Sequence, residues 1–205
     1  MSEHAIHPLR GESTTDTRRV EDVFTPHTPV SDPQSFCGRS RLVTTLSGLY
    51  RQRAQHVVVS GEHGTGKTSL VRTAAATVQG PLAFSCASTD EADTYTTLWH
   101  SAFTPLVGVA KLPASATSQS VTPAVALEWL RGASAEVPLT IVFDDFQNAD
   151  EKVRGLMAET VRLVTEAFLP VTLVFCGIAE SPAALFDAGE TVGASRHEVV
   201  VPRMT

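Results

Sequence analysis

The chain contains few cysteines and no long apolar run. Its three cysteines, Cys37, Cys86 and Cys176, lie far apart in 205 residues, without a CxxC pair or accompanying histidines. Zinc sites and disulfide frameworks need closely or regularly spaced ligands, so the sequence predicts neither. No apolar stretch approaches the roughly 18 residues of a membrane span, and the N-terminus lacks the apolar segment of a signal peptide. We therefore expect a cytoplasmic protein with no membrane partner.

Basic residues are fewer than acidic residues in this chain. Sixteen Lys and Arg stand against 22 Asp and Glu, which gives a formal net charge of −6. A small basic nucleic-acid module would carry the opposite balance, so the composition as a whole does not predict DNA or RNA binding. The most basic stretch surrounds the first predicted helix, and we interpret it as a solvated face. It consists of Arg39, Arg41, Arg51 and Arg53.

The chain divides into a predicted leader and one predicted domain. Residues 1–35 are rich in Thr, Pro, His and charge, and a residue that precedes proline is disfavoured in a helix. We expect this leader to be flexible. From residue 36 to residue 205, short apolar runs alternate with helical periodicity, which is typical of a single folded domain.

Five apolar runs in this domain predict strands that are buried on both faces. Helical stripes with i, i+3, i+4 spacing separate them, and this alternation favours an α/β fold around a mainly parallel sheet. In such sheets ligands bind beyond the carboxyl ends of the strands. The predicted strands are His56–Ser60, Pro81–Cys86, Leu139–Phe143, Val171–Cys176 and Glu198–Val201, and the helical stripes are Leu42–Tyr50, Leu70–Val78, Tyr95–Leu106, a helix capped by Thr122 with Pro123 first, and Val153–Phe168.

A complete G-x-x-x-x-G-K-[ST] motif follows the first strand directly and opens a helix. Its glycines let the backbone amides point at phosphate, and the helix N-terminus adds positive potential. Lys67 is predicted to neutralise the β- and γ-phosphates and Thr68 to ligate Mg²⁺. His63 occupies a position that the motif does not require, and we expect it to face solvent. The predicted nucleotide-binding residues of the loop are Gly61, Glu62, His63, Gly64, Thr65, Gly66, Lys67, Thr68 and Ser69.

The strand Leu139–Phe143 runs into two acids, which resembles a Walker B segment. Asp144 is predicted to hold Mg²⁺, and Asp145 is predicted to be the carboxylate that activates water. An Asp-Asp pair alone would indicate a helix cap or a turn, but here a phosphate loop precedes it. The N-K-x-D and D-x-x-G motifs of GTPases and the L-S-G-G-Q segment of transporter ATPases are absent from the sequence, which favours an adenine nucleotide.

Several segments together resemble the AAA+ and STAND ATPases, in particular the prokaryotic origin-recognition-like AAA ATPases. Phe36-Cys37-Gly38-Arg39 is similar to the F-x-G-R motif before the P-loop strand, and His56–Ser69 is similar to the family's P-loop. Asp144-Asp145-Phe146 and Val171–Ser181 resemble its Walker B and sensor-1 segments.

The resemblance implies a three-layer α/β/α P-loop NTPase core of the ASCE type, with a five-stranded parallel sheet of order 5-1-4-3-2. It also implies ATP and Mg²⁺ as cofactors, Arg39 near the adenine, and DNA, a protein partner or self-association. The chain departs from the family pattern at Asp145, where Glu is common, and near Cys176, where a polar sensor is expected. No arginine finger is assigned to Arg196 or Arg203, and the family's C-terminal lid is expected after Pro202-Arg203-Met204, where this sequence stops.

These features favour an ATP-operated switch that hydrolyses ATP slowly and acts on DNA or on a protein. A binding scaffold or regulatory module that holds nucleotide without hydrolysing it remains open. A phosphotransferase acting on a small acceptor also remains open, although no cluster of lid arginines is visible for it.

Overall fold

The computed structural model describes residues 38–107, 120–179, 186 and 196–203. The predicted leader, Phe36, Cys37, Glu180, Ser181 and Met204 lie outside the described residues. Within the described part of the chain, no helix is both long and apolar enough to cross a membrane.

Five parallel strands form one sheet, and each predicted apolar run corresponds to one of them. They are β1 (Gln55–Ser60), β2 (Ala83–Ser88), β3 (Leu139–Asp144), β4 (Val171–Gly177) and β5 (Arg196–Val200). Their order, β2-β3-β4-β1-β5, confirms the predicted order 5-1-4-3-2. The three inner strands are almost wholly buried, whereas the edge strand β5 is mostly exposed or half-buried. This difference explains why the apolar runs were continuous in the centre of the sheet.

The described helices flank the sheet, and three of them begin directly after a residue whose side chain caps the helix N-terminus. They are α1 (Ser40–Leu49), α2 (Lys67–Ala76), α3 (Tyr95–Phe103), α4 (Pro123–Ala133) and α5 (Glu151–Glu166). Side-chain oxygens of Thr94, Thr122 and Asp150 accept backbone N–H groups at the starts of α3, α4 and α5.

The predicted stripe Tyr95–Leu106 is one α-helix only as far as Phe103. Its last three residues, Thr104–Leu106, form a 3₁₀ turn with Pro105 in its first turn. Proline has no backbone N–H and clashes with the preceding helical turn, so the α-helix ends here.

The two faces of the sheet bury separate hydrophobic clusters, because successive side chains of a strand point to opposite sides. Val57 and Val59 pack with α1 and α2 on one face. Val58 packs on the other face, with α3, α4 and α5. The result is the predicted three-layer α/β/α sandwich. In its sheet, β1 and β3 lie on either side of β4, so their carboxyl ends are at the same edge.

Candidate nucleotide-binding site

The loop between β1 and α2 lies at the carboxyl edge of the sheet. Gly64 and Gly66 adopt φ angles of 74° and 80°, in the left-handed region that residues with a Cβ rarely adopt. Gly66 is the N-cap of α2, so the helix begins at Lys67 and its first backbone N–H groups face the loop. The loop therefore has the strand-loop-helix arrangement that the motif predicted, and phosphate binding by its residues remains a prediction.

Lys67 is folded over the loop rather than directed into solvent. Its side chain is buried, and Nζ donates to the carbonyl oxygens of Gly61 and Glu62, both at 3.0 Å. An ammonium group has three donors and needs partners when it is buried. The Gly61 and Glu62 carbonyls satisfy two of these donors.

Thr68 and Asp144 meet although they are 76 positions apart in the chain. The Thr68 hydroxyl donates to Asp144 Oδ2 at 2.6 Å, and the other oxygen, Oδ1, accepts the backbone N–H of Asp145 at 3.1 Å. Asp144 is the last residue of β3 and is buried. A hydroxyl and one carboxylate are the hard oxygen ligands that Mg²⁺ takes from a protein when phosphates and water complete its octahedron. The residues present therefore fit a Mg²⁺–nucleotide complex.

Asp145 follows β3 in a strained backbone conformation. Its φ of 53° and ψ of 35° lie in the left-handed region, which costs about 1–2 kcal/mol for a residue with a Cβ. Its side chain is half-buried, and Oδ1 accepts Gln147 Nε2 at 3.4 Å. Non-glycine residues in such conformations cluster at functional sites. The predicted role of Asp145 in activating water remains a prediction.

Arg39 connects the phosphate loop to the segment that follows β5. Its side chain is buried, and its guanidinium donates from Nη1 to the Thr65 carbonyl and from Nη2 to the Pro202 carbonyl. Burial lowers the pKa of Arg39 through desolvation. A cavity of about 650 Å³ opens beside it, lined by α1 and by the segment from Val200 to Arg203. This is the side of the loop where the family resemblance places the adenine.

The segment after β5 lies directly against the phosphate loop. Val201 N–H donates to the Ser60 carbonyl at 2.8 Å, and a Cβ added to Gly61 would lie 2.6 Å from the Val201 carbonyl oxygen. Arg203 forms an ion pair with the Glu62 carboxylate, and both side chains are exposed. Sequence reasoning missed the contacts of this segment, because no local pattern relates residues about 140 positions apart.

The remaining predicted residues occupy less specific places. His63 is exposed, as expected, and Ser69 is half-buried in the first turn of α2. Arg196 forms an ion pair with Glu198 on β5. Cys176, at the predicted sensor position on β4, is fully buried, and burial raises the pKa of its thiol. An inert buried thiol is a poor substitute for a polar sensor.

Comparisons with known proteins agree with this geometry. The sequence model of a family described as an AAA ATPase domain matches residues 35–174. A comparison with curated proteins gave no significant match.

Many solved structures share the fold. A Walker-type ATPase of Pyrococcus abyssi matches with a TM-score of 0.65 and 13% identity, over 86% of this chain and 56% of that one. The ORC2 protein of Aeropyrum pernix, solved as ADPNP-ADP complexes, matches with a TM-score of 0.62 and 13% identity, over 88% and 51%. The ORC1 protein of the same organism, solved in complex with DNA, gives 0.61 and 13%, over 83% and 46%. This chain spans about half the length of these three proteins.

Proposed function

Since the chain belongs to the AAA ATPase domain family, we propose that its phosphate loop and Asp144 bind ATP with Mg²⁺ and that slow hydrolysis drives a conformational switch. The switch acts on DNA or on a protein partner. The fold is a P-loop ATPase core related to the origin-recognition-like AAA+ proteins.

The contact between Thr68 and Asp144 carries this proposal. The Thr68 hydroxyl and a carboxylate oxygen of Asp144 lie 2.6 Å apart, and the side chain of Lys67, the residue before Thr68, is buried. A simple glycine turn with a solvated lysine would not bury that ammonium or place a carboxylate next to the first helical hydroxyl. The arrangement supports binding of a phosphate chain with its cation.

Each residue has a separate task in this proposal. The backbone amides of the loop and the N-terminus of α2 bind the phosphates, and Lys67 moves from the Gly61 and Glu62 carbonyls to the β- and γ-phosphate oxygens. Thr68 and Asp144 hold Mg²⁺. When bound, Mg²⁺ neutralises charge that develops on the phosphate oxygens.

Asp145 is the proposed base for hydrolysis. A carboxylate that accepts a proton from a positioned water typically contributes about 10²–10⁴-fold to a rate. Asp is one methylene shorter than the Glu that is common in the family, so we propose slow turnover.

The contacts of the loop also support a switch. A phosphate that takes Lys67 away from the Gly61 and Glu62 carbonyls changes the loop at the point where Arg203 pairs with Glu62. Arg39 joins the loop at Thr65 to Pro202. Nucleotide occupancy is therefore coupled to the segment 201–203. DNA is a proposed partner because the similar ORC1 protein of Aeropyrum pernix was solved in complex with DNA.

One observation favours a second candidate function, a module that binds nucleotide without hydrolysing it. The buried thiol of Cys176 stands where the family resemblance places a polar sensor of the γ-phosphate. Without such a group, the chain would bind ATP and change a partner surface without turnover.

Single-turnover phosphate release, with protein in excess over ATP, separates the two candidates. The full chain should release phosphate in the presence of Mg²⁺, and Asp145→Asn should slow release by about 10²–10⁴-fold with ATP affinity changed less than about threefold. Glu128→Gln, on the exposed side of α4, is the control for loss of an acidic charge. No phosphate release by the unaltered chain would reject hydrolysis and favour the nucleotide-binding module.

The same assay tests the proposed partner. Duplex DNA added at low salt should change the rate of phosphate release or the affinity for ATP, because a switch couples the two ligands reciprocally. ATP affinity and rate that stay the same over a full DNA titration would reject DNA as the partner.

A further inference from the structure

Gln147 lies between the proposed base and the end of β4. Its Nε2 donates to Asp145 Oδ1 at 3.4 Å, and its Oε1 accepts the backbone N–H of Ile178 at 2.9 Å. The Ile178 N–H is only a donor, so it fixes the carboxamide oxygen on that side and turns the NH₂ group toward the carboxylate. The orientation of this amide therefore follows from its two partners.

The backbone of Gln147 is held from several directions. Its carbonyl accepts Arg154 Nη2 at 2.9 Å, and Arg154 Nε donates to the Ala149 carbonyl at 2.9 Å. On one side of it, Phe146 is fully buried against Phe175. On the other side, Asn148 Nδ2 donates to the Thr89 carbonyl at 3.0 Å. The side chain of Gln147 thus extends from a rigid turn.

The two neighbouring acids are supported differently. Asp144 uses both oxygens, one toward Thr68 and one toward the Asp145 N–H. For the Asp145 carboxylate, the side-chain donor that the structure shows is Gln147. Asp145 also occupies a strained backbone conformation, which persists only where the surrounding contacts hold it in place.

We propose that Gln147 is a positioning residue that aims the Asp145 carboxylate at the attacking water and ties it to the end of β4, where Cys176 offers no polar side chain. This inference rests on the proposed hydrolysis. Gln147 acts through Asp145, and its long 3.4 Å contact shortens when nucleotide and water occupy the site. The amide also makes the position of the base depend on the backbone that follows β4.

Two substitutions separate positioning from a structural link. Gln147→Met keeps the length of the side chain and loses both hydrogen bonds. Gln147→Glu keeps an acceptor for the Ile178 N–H but replaces the donor to Asp145 by a second carboxylate. If Gln147 positions the base, both variants lower the single-turnover rate of phosphate release by at least about tenfold. If it only ties the turn to β4, Gln147→Glu restores the rate that Gln147→Met loses.

The experiment combines the single-turnover rate with ATP affinity and with hydrogen exchange at the Ile178 amide. We expect slow turnover in both variants, ATP affinity within about threefold for Gln147→Met, and protection of Ile178 retained in Gln147→Glu but lost in Gln147→Met. Gln52→Met and Gln52→Glu, at an exposed position before β1, are the matched controls.

Two results would overturn the inference. One is a rate for Gln147→Glu within twofold of the unaltered chain, and the other is a loss of ATP affinity in Gln147→Met equal to its loss of rate. If the unaltered chain binds ATP and releases no phosphate, hydrolysis itself is wrong and the positioning role is rejected with it. If the unaltered chain does release phosphate, a failure of the positioning role can be told apart from a failure of the proposed hydrolysis.

Discussion

His56 provides a quantitative test of the packing at the amino-terminal end of β1. It lies near the start of β1 with 1% of its surface exposed. Its Nδ1 accepts the Leu173 N–H at 3.4 Å, while Nε2 is buried and has no hydrogen-bond partner among the residues that the structure describes. Desolvation by burial lowers the pKa of His56 from 6.5 to about 4. The folded chain therefore keeps this imidazole neutral at pH values where the unfolded chain protonates it.

The sign and size of the effect follow from that shift. Above about pH 6.5 the imidazole is neutral in both states, so it adds no pH dependence. Between about pH 6.5 and pH 4 the unfolded state binds more protons than the folded state. In this range the free energy of unfolding falls by about 1.4 kcal/mol for each unit by which the pH is lowered. The full loss is about 3 kcal/mol. That amount is a large part of the stability of an ordinary domain.

Urea unfolding of the full chain at pH values from about 7.5 to about 4.5 measures this effect. The variant His56→Leu removes the titrating group while keeping a side chain of similar size, and His63→Leu controls for loss of a histidine at an exposed position. The stability of the unaltered chain relative to His56→Leu should fall by about 2–3 kcal/mol over that range. If the free energy of unfolding of the unaltered chain and that of His56→Leu changed in parallel with pH, the buried, neutral state of His56 would be refuted.

Two further predictions concern the contacts of the phosphate loop. Gly61→Ala places a Cβ 2.6 Å from the Val201 carbonyl oxygen, so we expect a loss of about 1–3 kcal/mol of stability and weaker ATP binding. Thermal unfolding measures the first effect and titration with ATP the second. An unchanged melting temperature would contradict the close approach. Arg39→Lys leaves one ammonium group where the guanidinium reaches two carbonyls, so the free energy of unfolding should fall by about 1–3 kcal/mol. Urea unfolding measures this change. A variant as stable as the unaltered chain would contradict the bridge between the loop and Pro202.

The centre of the sheet was predictable because its three inner strands are buried on both faces. Continuous apolar runs such as Leu139–Phe143 identify a strand of this kind without any knowledge of its neighbours. The conformation of the loop before α2 was predictable for a similar reason, since its glycines, Lys67 and Thr68 stand at the fixed local spacing of the motif. Both features depend on short-range sequence patterns.

The supporting contacts of the site were not predictable in this way. Gln147 meets Ile178 across 31 positions, and Arg39 meets Pro202 across 163. A carbonyl or N–H group of the main chain carries no residue identity, so a side chain that contacts one leaves no partner residue for sequence reasoning to find. The left-handed conformation of Asp145 also could not be predicted from the sequence, because aspartate adopts that region only occasionally.

ATP affinity of the full chain in Mg²⁺, measured for the unaltered protein, Lys67→Ala and Lys152→Ala, tests the central claim most directly. Lys67 is buried against the loop carbonyls, whereas Lys152 is exposed in the first turn of α5. The account predicts at least about a tenfold loss of affinity for Lys67→Ala and a change of less than about twofold for Lys152→Ala. Equal ATP affinity in all three proteins would contradict it.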